Sequence, residues 1–113
     1  MSKIIESESD LDKMLSESPR LLVLFYASWC PHSRRFLPIF EKYAEDNENN
    51  LCRVLTDEIE SCAENYSIDA VPTVILFKNG KIAKRLDGII GRGLNEKQLV
   101  EMMDSLKIAE DLK

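Results

Sequence analysis

No apolar stretch in this 113-residue chain approaches the roughly 20 residues a membrane-spanning helix requires. The start, Met1-Ser2-Lys3-Ile4-Ile5-Glu6, has no signal-peptide core. Cationic charge is also short, with 15 Lys and Arg against 20 Asp and Glu, for a net charge of −5. That balance argues against nucleic acid, whose binding relies on neutralising phosphates, and against anionic membrane surfaces. Histidine occurs once, as His32, and cysteine three times, as Cys30, Cys52 and Cys62. An odd, irregular set is not a disulfide framework, and Cys30 with His32 alone would leave most of a metal's coordination shell empty. No metal and no cofactor is expected. Repeats, low-complexity tracts and linkers are lacking, so residues 1–113 read as one domain, a monomeric cytoplasmic protein whose thiols stay reduced.

What the chain does carry is an alternation of short apolar runs and amphipathic segments. Ile4-Ile5 can begin a strand, and Ser7 or Ser9 caps a helix with Leu11, Met14 and Leu15 on one face. Leu21 to Tyr26 is continuously apolar, the pattern of a strand covered on both sides. Phe36, Leu37, Phe40, Tyr43 and Ala44 share a face of the next helix, which Pro38 should kink. Leu51 to Leu55 reads as a strand, Ile59 to Tyr66 as a short helix and Val71 to Phe77 as a strand. Asn79-Gly80 predicts a hairpin returning over Lys81 to Asp87. Asn95 caps a last helix, with Leu99, Val100, Met103 and Leu106 inward. The order β-α-β-α-β-α-β-β-α predicts an α/β fold: a mixed sheet between helices, with parallel crossovers and one antiparallel edge.

The chemistry concentrates in Tyr26-Ala27-Ser28-Trp29-Cys30-Pro31-His32-Ser33. A strand there delivers a cysteine to the start of a helix, where unpaired N–H groups and the positive end of the macrodipole favour an anion. Cys30 is therefore read as an activated thiol, with His32 and the helix start stabilising its thiolate. The bland alternatives are an inert, partly buried thiol at Cys30 and a solvated surface residue at His32. Cys52 and Cys62 fit the pattern of small core residues. Gly88 to Gly93 is glycine-rich but sits after an antiparallel strand, not in the setting of a phosphate cradle.

The whole pattern resembles the thioredoxin family over nearly its full length. Trp29-Cys30-Pro31-His32-Ser33 aligns with that family's Trp-Cys-x-x-Cys signature, and Pro38 with its helix proline. Val71-Pro72-Thr73 aligns with its cis-proline, Arg53 with its lysine near the active site, and Gly88 with its groove glycine. The resemblance implies a thioredoxin fold, a central mixed sheet flanked by helices on both faces. It implies a thiol–disulfide oxidoreductase with Cys30 as nucleophile, and with Trp29, Pro31, Val71, Pro72, Gly88 and Ile89 contacting disulfide-bearing peptides. The implied reductant is glutathione or a thioredoxin reductase.

Two departures limit that chemistry. Ser33 stands where the family has its resolving cysteine, and Leu24 where it has a buried acid. Cys30 can form a mixed disulfide, but an internal disulfide with Ser33 is chemically impossible. Ser33 reads either as a natural monothiol site whose hydroxyl donates to the thiolate, or as an introduced serine that traps adducts. Arg53, without an acid at position 24, reads more readily as structural than as chemical. A non-redox reading also stands: a peptide-binding or chaperone module using the same apolar rim.

Overall fold

The computed structural model describes residues 2–45, 50–88 and 93–111, with side chains as far as 104. Its elements run β1 (Lys3–Ile5), α1 (Glu8–Glu17), β2 (Arg20–Tyr26), α2 (Pro31–Ala44), β3 (Leu51–Leu55), α3 (Glu60–Asn65), β4 (Thr73–Lys78), β5 (Lys81–Leu86) and α4 (Glu96–Asp111). The strands form one sheet in the order β1-β3-β2-β4-β5. This is the thioredoxin fold, a mixed α/β sheet with helices on both faces.

β2 lies at the centre because nothing in it needs water. Leu21 to Phe25 are all fully buried, each worth roughly 1.5–3 kcal/mol relative to exposure. The two-residue strand period splits them between two cores. Leu22 and Leu24 face Phe36 and Phe40 of α2 and Leu99, Met102 and Met103 of α4. Leu21, Val23 and Phe25 face Leu11 of α1 and Cys62 of α3. Met102, rather than Val100, completes the inward stripe of α4; Val100 is only half-buried. Leu106 lies beyond the described side chains.

Local signals set the element ends. Ser7 caps α1 by accepting from the Asp10 N–H at 3.1 Å. Asn95 and Gln98 cap α4 reciprocally, each side-chain oxygen accepting from the other's N–H at 2.9 and 3.0 Å. Pro38 is accommodated inside α2, which continues to Ala44. Asn79 and Gly80 turn the β4–β5 hairpin at φ of 52° and 80°.

One expectation fails. β1, β3 and β2 are parallel, but β4 runs antiparallel to β2 although a helix separates it from β3. The chain does not travel back along the sheet between them: β3 ends with Leu55 opposite Tyr26, and β4 starts with Thr73 opposite Phe25, at that same end. That reversal brings the Val71-Pro72 segment to the end of β2 from which Cys30 emerges.

Candidate active site

Cys30 occupies the position just before α2, in extended conformation (φ −86°, ψ 121°), with Pro31 as the first helical residue. Proline suits that place because its missing N–H would have no partner in the helix anyway. The Arg34 N–H donates to the Cys30 carbonyl at 3.0 Å, closing the first turn. Cys30 is 6% exposed and its Sγ lies 3.7 Å from the Val71 carbonyl oxygen, which the thiol reaches as donor. The sulfur is thus neither sealed nor free-standing: it is at the surface edge of the core, against one backbone acceptor.

The loop carrying it is pinned from both ends. On one side, the Ser28 N–H and hydroxyl donate to the two carboxylate oxygens of Asp57 at 3.2 and 2.7 Å. The Ser28 hydroxyl and N–H hold the Asp57 carboxyl below its usual value. On the other, the Ala27 N–H donates to the Ser33 Oγ at 3.2 Å, wholly buried. This bond, in which the Ser33 oxygen accepts, joins the end of the β2 loop to the first turn of α2.

Across the sulfur stands the Val71–Pro72 peptide, which is cis. Thr73 ties this segment down: its hydroxyl donates to the Ala70 carbonyl at 2.6 Å and accepts from the Gly88 N–H at 3.3 Å. A Cβ on Gly88 would lie 2.3 Å from the Pro72 carbonyl oxygen, so only glycine lets the two segments touch. Arg85 braces the preceding turn through the Tyr66 and Ser67 carbonyls.

Around the sulfur, Trp29 is 71% exposed and Pro31 is open to solvent. His32 is half-buried, with Nδ1 enclosed and without a hydrogen-bond partner among the described residues. Ile89 lies outside the described residues. The structure therefore brings together Trp29, Cys30, Pro31, His32, Ser33, Val71, Pro72 and Gly88. Asp57, Thr73 and Gly93 were not singled out from sequence. A usable signal existed for Asp57: it follows β3 directly, and a parallel neighbour of β2 must end where β2 ends.

Arg53 does not reach this site through a recorded bond. Its guanidinium donates to the Ser2 carbonyl and hydroxyl at 3.1 and 2.9 Å and pairs with Glu41 of α2 at 2.7 Å. Burial pushes the Glu41 carboxyl up, but the Ser2 hydroxyl and N–H and the Arg53 charge outweigh it and hold it below 4.5. With Leu24 opposite it on β2, Arg53 takes its carboxylate partner from α2. Among the described residues, no three His, Cys, Asp or Glu side chains gather as a metal site, and no helix is long and apolar enough to cross a membrane.

A thiol at a helix start facing a cis-proline on an α/β sheet defines a disulfide oxidoreductase. Comparison with known proteins assigns the lineage. The thioredoxin family model matches residues 2–105, and the chain is 36% identical over 89 residues to thioredoxin of Mycoplasmoides gallisepticum, covering 78% of this chain and 89% of that one. It is 34% identical to chloroplastic thioredoxin Y of Oryza sativa over 90% of this chain, but spans only 61% of that relative. The X-ray structure of Fasciola hepatica thioredoxin superposes with a TM-score of 0.81 at 29% identity, covering 91% of this chain and 97% of the other. The chain belongs to the thioredoxin family.

Proposed function

We propose that Cys30 attacks protein or peptide disulfides and holds one half as a mixed disulfide. The Cys30 thiolate displaces one sulfur of the substrate; a Cys30–substrate S–S bond forms, the substrate S–S bond breaks, and the departing thiolate takes a proton from water. With Ser33 at the second position, release requires a thiol from outside, of the glutathione class, or a second thiol of the substrate. Where the starting disulfide joins a protein to a small thiol, Cys30 takes the small thiol, the protein thiol leaves, and the outside thiol carries the small thiol away as a small-molecule disulfide; where the second thiol belongs to the substrate, the outcome is isomerisation. Trp29, Pro31 and Pro72 supply an apolar rim for an extended peptide, and His32 with the start of α2 favours the anionic sulfur.

The observation that carries this reading is the placement of Cys30, immediately before α2 with its Sγ 3.7 Å from the Val71 carbonyl oxygen of the cis Val71–Pro72 peptide. A thiol can donate to that oxygen; a thiolate cannot. Ionisation therefore frees the carbonyl to accept an N–H from a substrate strand at the same moment that the nucleophile forms. Val71 thereby links reactivity to peptide placement. The single-domain, monomeric organisation and the reduced compartment belong to the same proposal.

The test is intact-mass spectrometry after acid quenching of a reaction with an oxidised peptide. One adduct per chain should form, map to Cys30, persist without added thiol and disappear on adding glutathione. An adduct no more abundant than in Cys30→Ala overturns the proposal. If that variant also retains full peptide affinity, the protein is a non-covalent binding module.

A further inference from the structure

We propose that Gly93 is a positioning residue for the reactive thiol. Acting through His32, it sets where the first turn of α2 and its imidazole stand beside Cys30. The inference rests on Cys30 being the nucleophile.

Gly93 is buried and adopts φ +67°, a conformation that residues with a Cβ rarely take. A Cβ built there would lie 2.7 Å from His32 Cβ, 3.1 Å from Cγ and 3.2 Å from Nδ1. The closest of these atoms is decisive. It is the root of the side chain, not a flexible tip, so rotating the imidazole cannot relieve the contact. Either Gly93 or the first turn of α2 must move.

Gly93 is the less free of the two. Leu94 beside it is buried in the α2–α4 core, and Asn95 is locked in the reciprocal cap with Gln98. The first turn of α2, by contrast, faces solvent through Pro31 and Arg34. Contact at Gly93 is therefore transmitted to His32, and from there over two residues to Cys30. The same close approach encloses His32 Nδ1, which has no hydrogen-bond partner among the described residues. Packing against Gly93 thus bounds the ring on that side. A segment distant in sequence sets where the imidazole stands, two residues from Cys30, while no atom of Gly93 needs to touch a substrate.

His32 is the only histidine in the chain, so its ring carbon-bound protons give an unambiguous NMR signature. In Gly93→Ala, those resonances should shift, and iodoacetamide alkylation of Cys30 at fixed neutral pH should slow by about threefold or more, the scale of one misplaced dipole or charge at a helix start. In a His32→Gly background, where the added Cβ meets no side chain, Gly93→Ala should cause no further slowing. Gly93→Asn, which tolerates positive φ better but still carries a Cβ, should reproduce the Gly93→Ala shift if alanine proves too strained to fold. Unmoved His32 resonances, or equal slowing in both backgrounds, would overturn the proposal. A Cys30 that alkylates no faster than a cysteine of the unfolded chain would instead remove the nucleophile reading beneath it.

Discussion

Cys30 and Cys52 differ little in exposure, 6% against none, yet their surroundings make them opposite kinds of thiol. Cys52 points from the middle of β3 into the α1–α3 core beside Val23 and Phe77. Burial pushes its thiol up to about 12, and the Lys3 charge offsets only part of that rise. Cys30 sits where β2 has run out of sheet, with a helix start on one side, a backbone carbonyl on another and an exposed tryptophan beside it. On the proposed reading, depth alone does not separate a reactive from an inert cysteine: the middle of β3 excludes water, whereas the loop after β2 admits one incoming sulfur.

The largest expected effect measures that contrast directly. In the native protein at neutral pH, iodoacetamide should modify Cys30 at least ~100-fold faster than Cys52, because a thiol ionising near 12 supplies almost no thiolate. Cys62, fully buried and pushed up first by burial and then by Glu8 and Asp12, should also stay unmodified. Peptide mapping after timed quenching reads all three, and denaturant should erase the selectivity. Comparable native rates would mean that β3 opens as readily as the active-site loop.

The closed region should show itself in stability. Glu41→Ala leaves the Arg53 guanidinium, 7% exposed, without its charged partner. Stranding a buried charge costs about 3–5 kcal/mol; because Glu41 keeps 16% exposure and water can enter, the low end, about 3 kcal/mol, is expected. Thermal unfolding should fall on the order of 10 °C, with the native alkylation rate of Cys30 unchanged. The pH dependence has a definite sign. A carboxyl held below 4.5 in the folded chain stabilises it above that value and loses the contribution as pH falls through the lowered folded value. The gap between wild type and Glu41→Gln should thus be full at neutral pH and shrink below 4.5. A gap that widened in acid would contradict the ion pair.

Gly88→Ala should behave in the reverse manner. Its Cβ would collide with the Pro72 carbonyl at 2.3 Å, and such overpacking costs about 1–3 kcal/mol. The shift, however, falls on the segment facing Cys30, so adduct formation with a peptide disulfide should drop by more than the stability loss accounts for. Calorimetry and adduct yield on the same sample separate the two. Loss of stability with undiminished adduct would place the Pro72 segment outside the substrate path.

Much of this was legible in one dimension because the signals are local. The fully apolar β2, the Ser7 and Asn95 caps, the Asn79-Gly80 turn and the Cys30-Pro31 helix start each act within a few residues. What was not legible depends on pairings across the sheet. The direction of β4 is set by the end of the sheet at which the chain re-enters it, beside Phe25, which no local pattern specifies. Arg53 lacked an acid along its own neighbour strand, and nothing in the local sequence nominated Glu41, 12 residues away on a helix. Gly93 lies far from His32 in the chain, and its glycine looked like any loop glycine. The candidate site is legible where it is a helix start and opaque where it is a meeting of loops.

The smallest effect tests the outermost support of that meeting. Asp57 is exposed and its carboxylate holds Ser28 by two bonds, one residue from Trp29 and two from Cys30. Asp57→Asn keeps the shape and one acceptor oxygen for the Ser28 N–H, but the other bond persists only with the Ser28 hydroxyl turned from donor to acceptor, and both lose the charge that strengthens them. Global stability should change less than in Gly88→Ala, since solvent offsets the weakened bonds on an exposed side chain. Fluorescence of Trp29, the only tryptophan in the chain, should report a more mobile loop, and Cys30 alkylation should change modestly while Cys52 stays silent. In Ser28→Ala, only the backbone N–H bond remains, and adding Asp57→Asn should then have little further effect on Trp29 emission. Independent, additive changes from the two substitutions would show that Asp57 acts through solvent-borne charge and not through Ser28, leaving the Ala27–Ser33 bond as the loop's principal anchor.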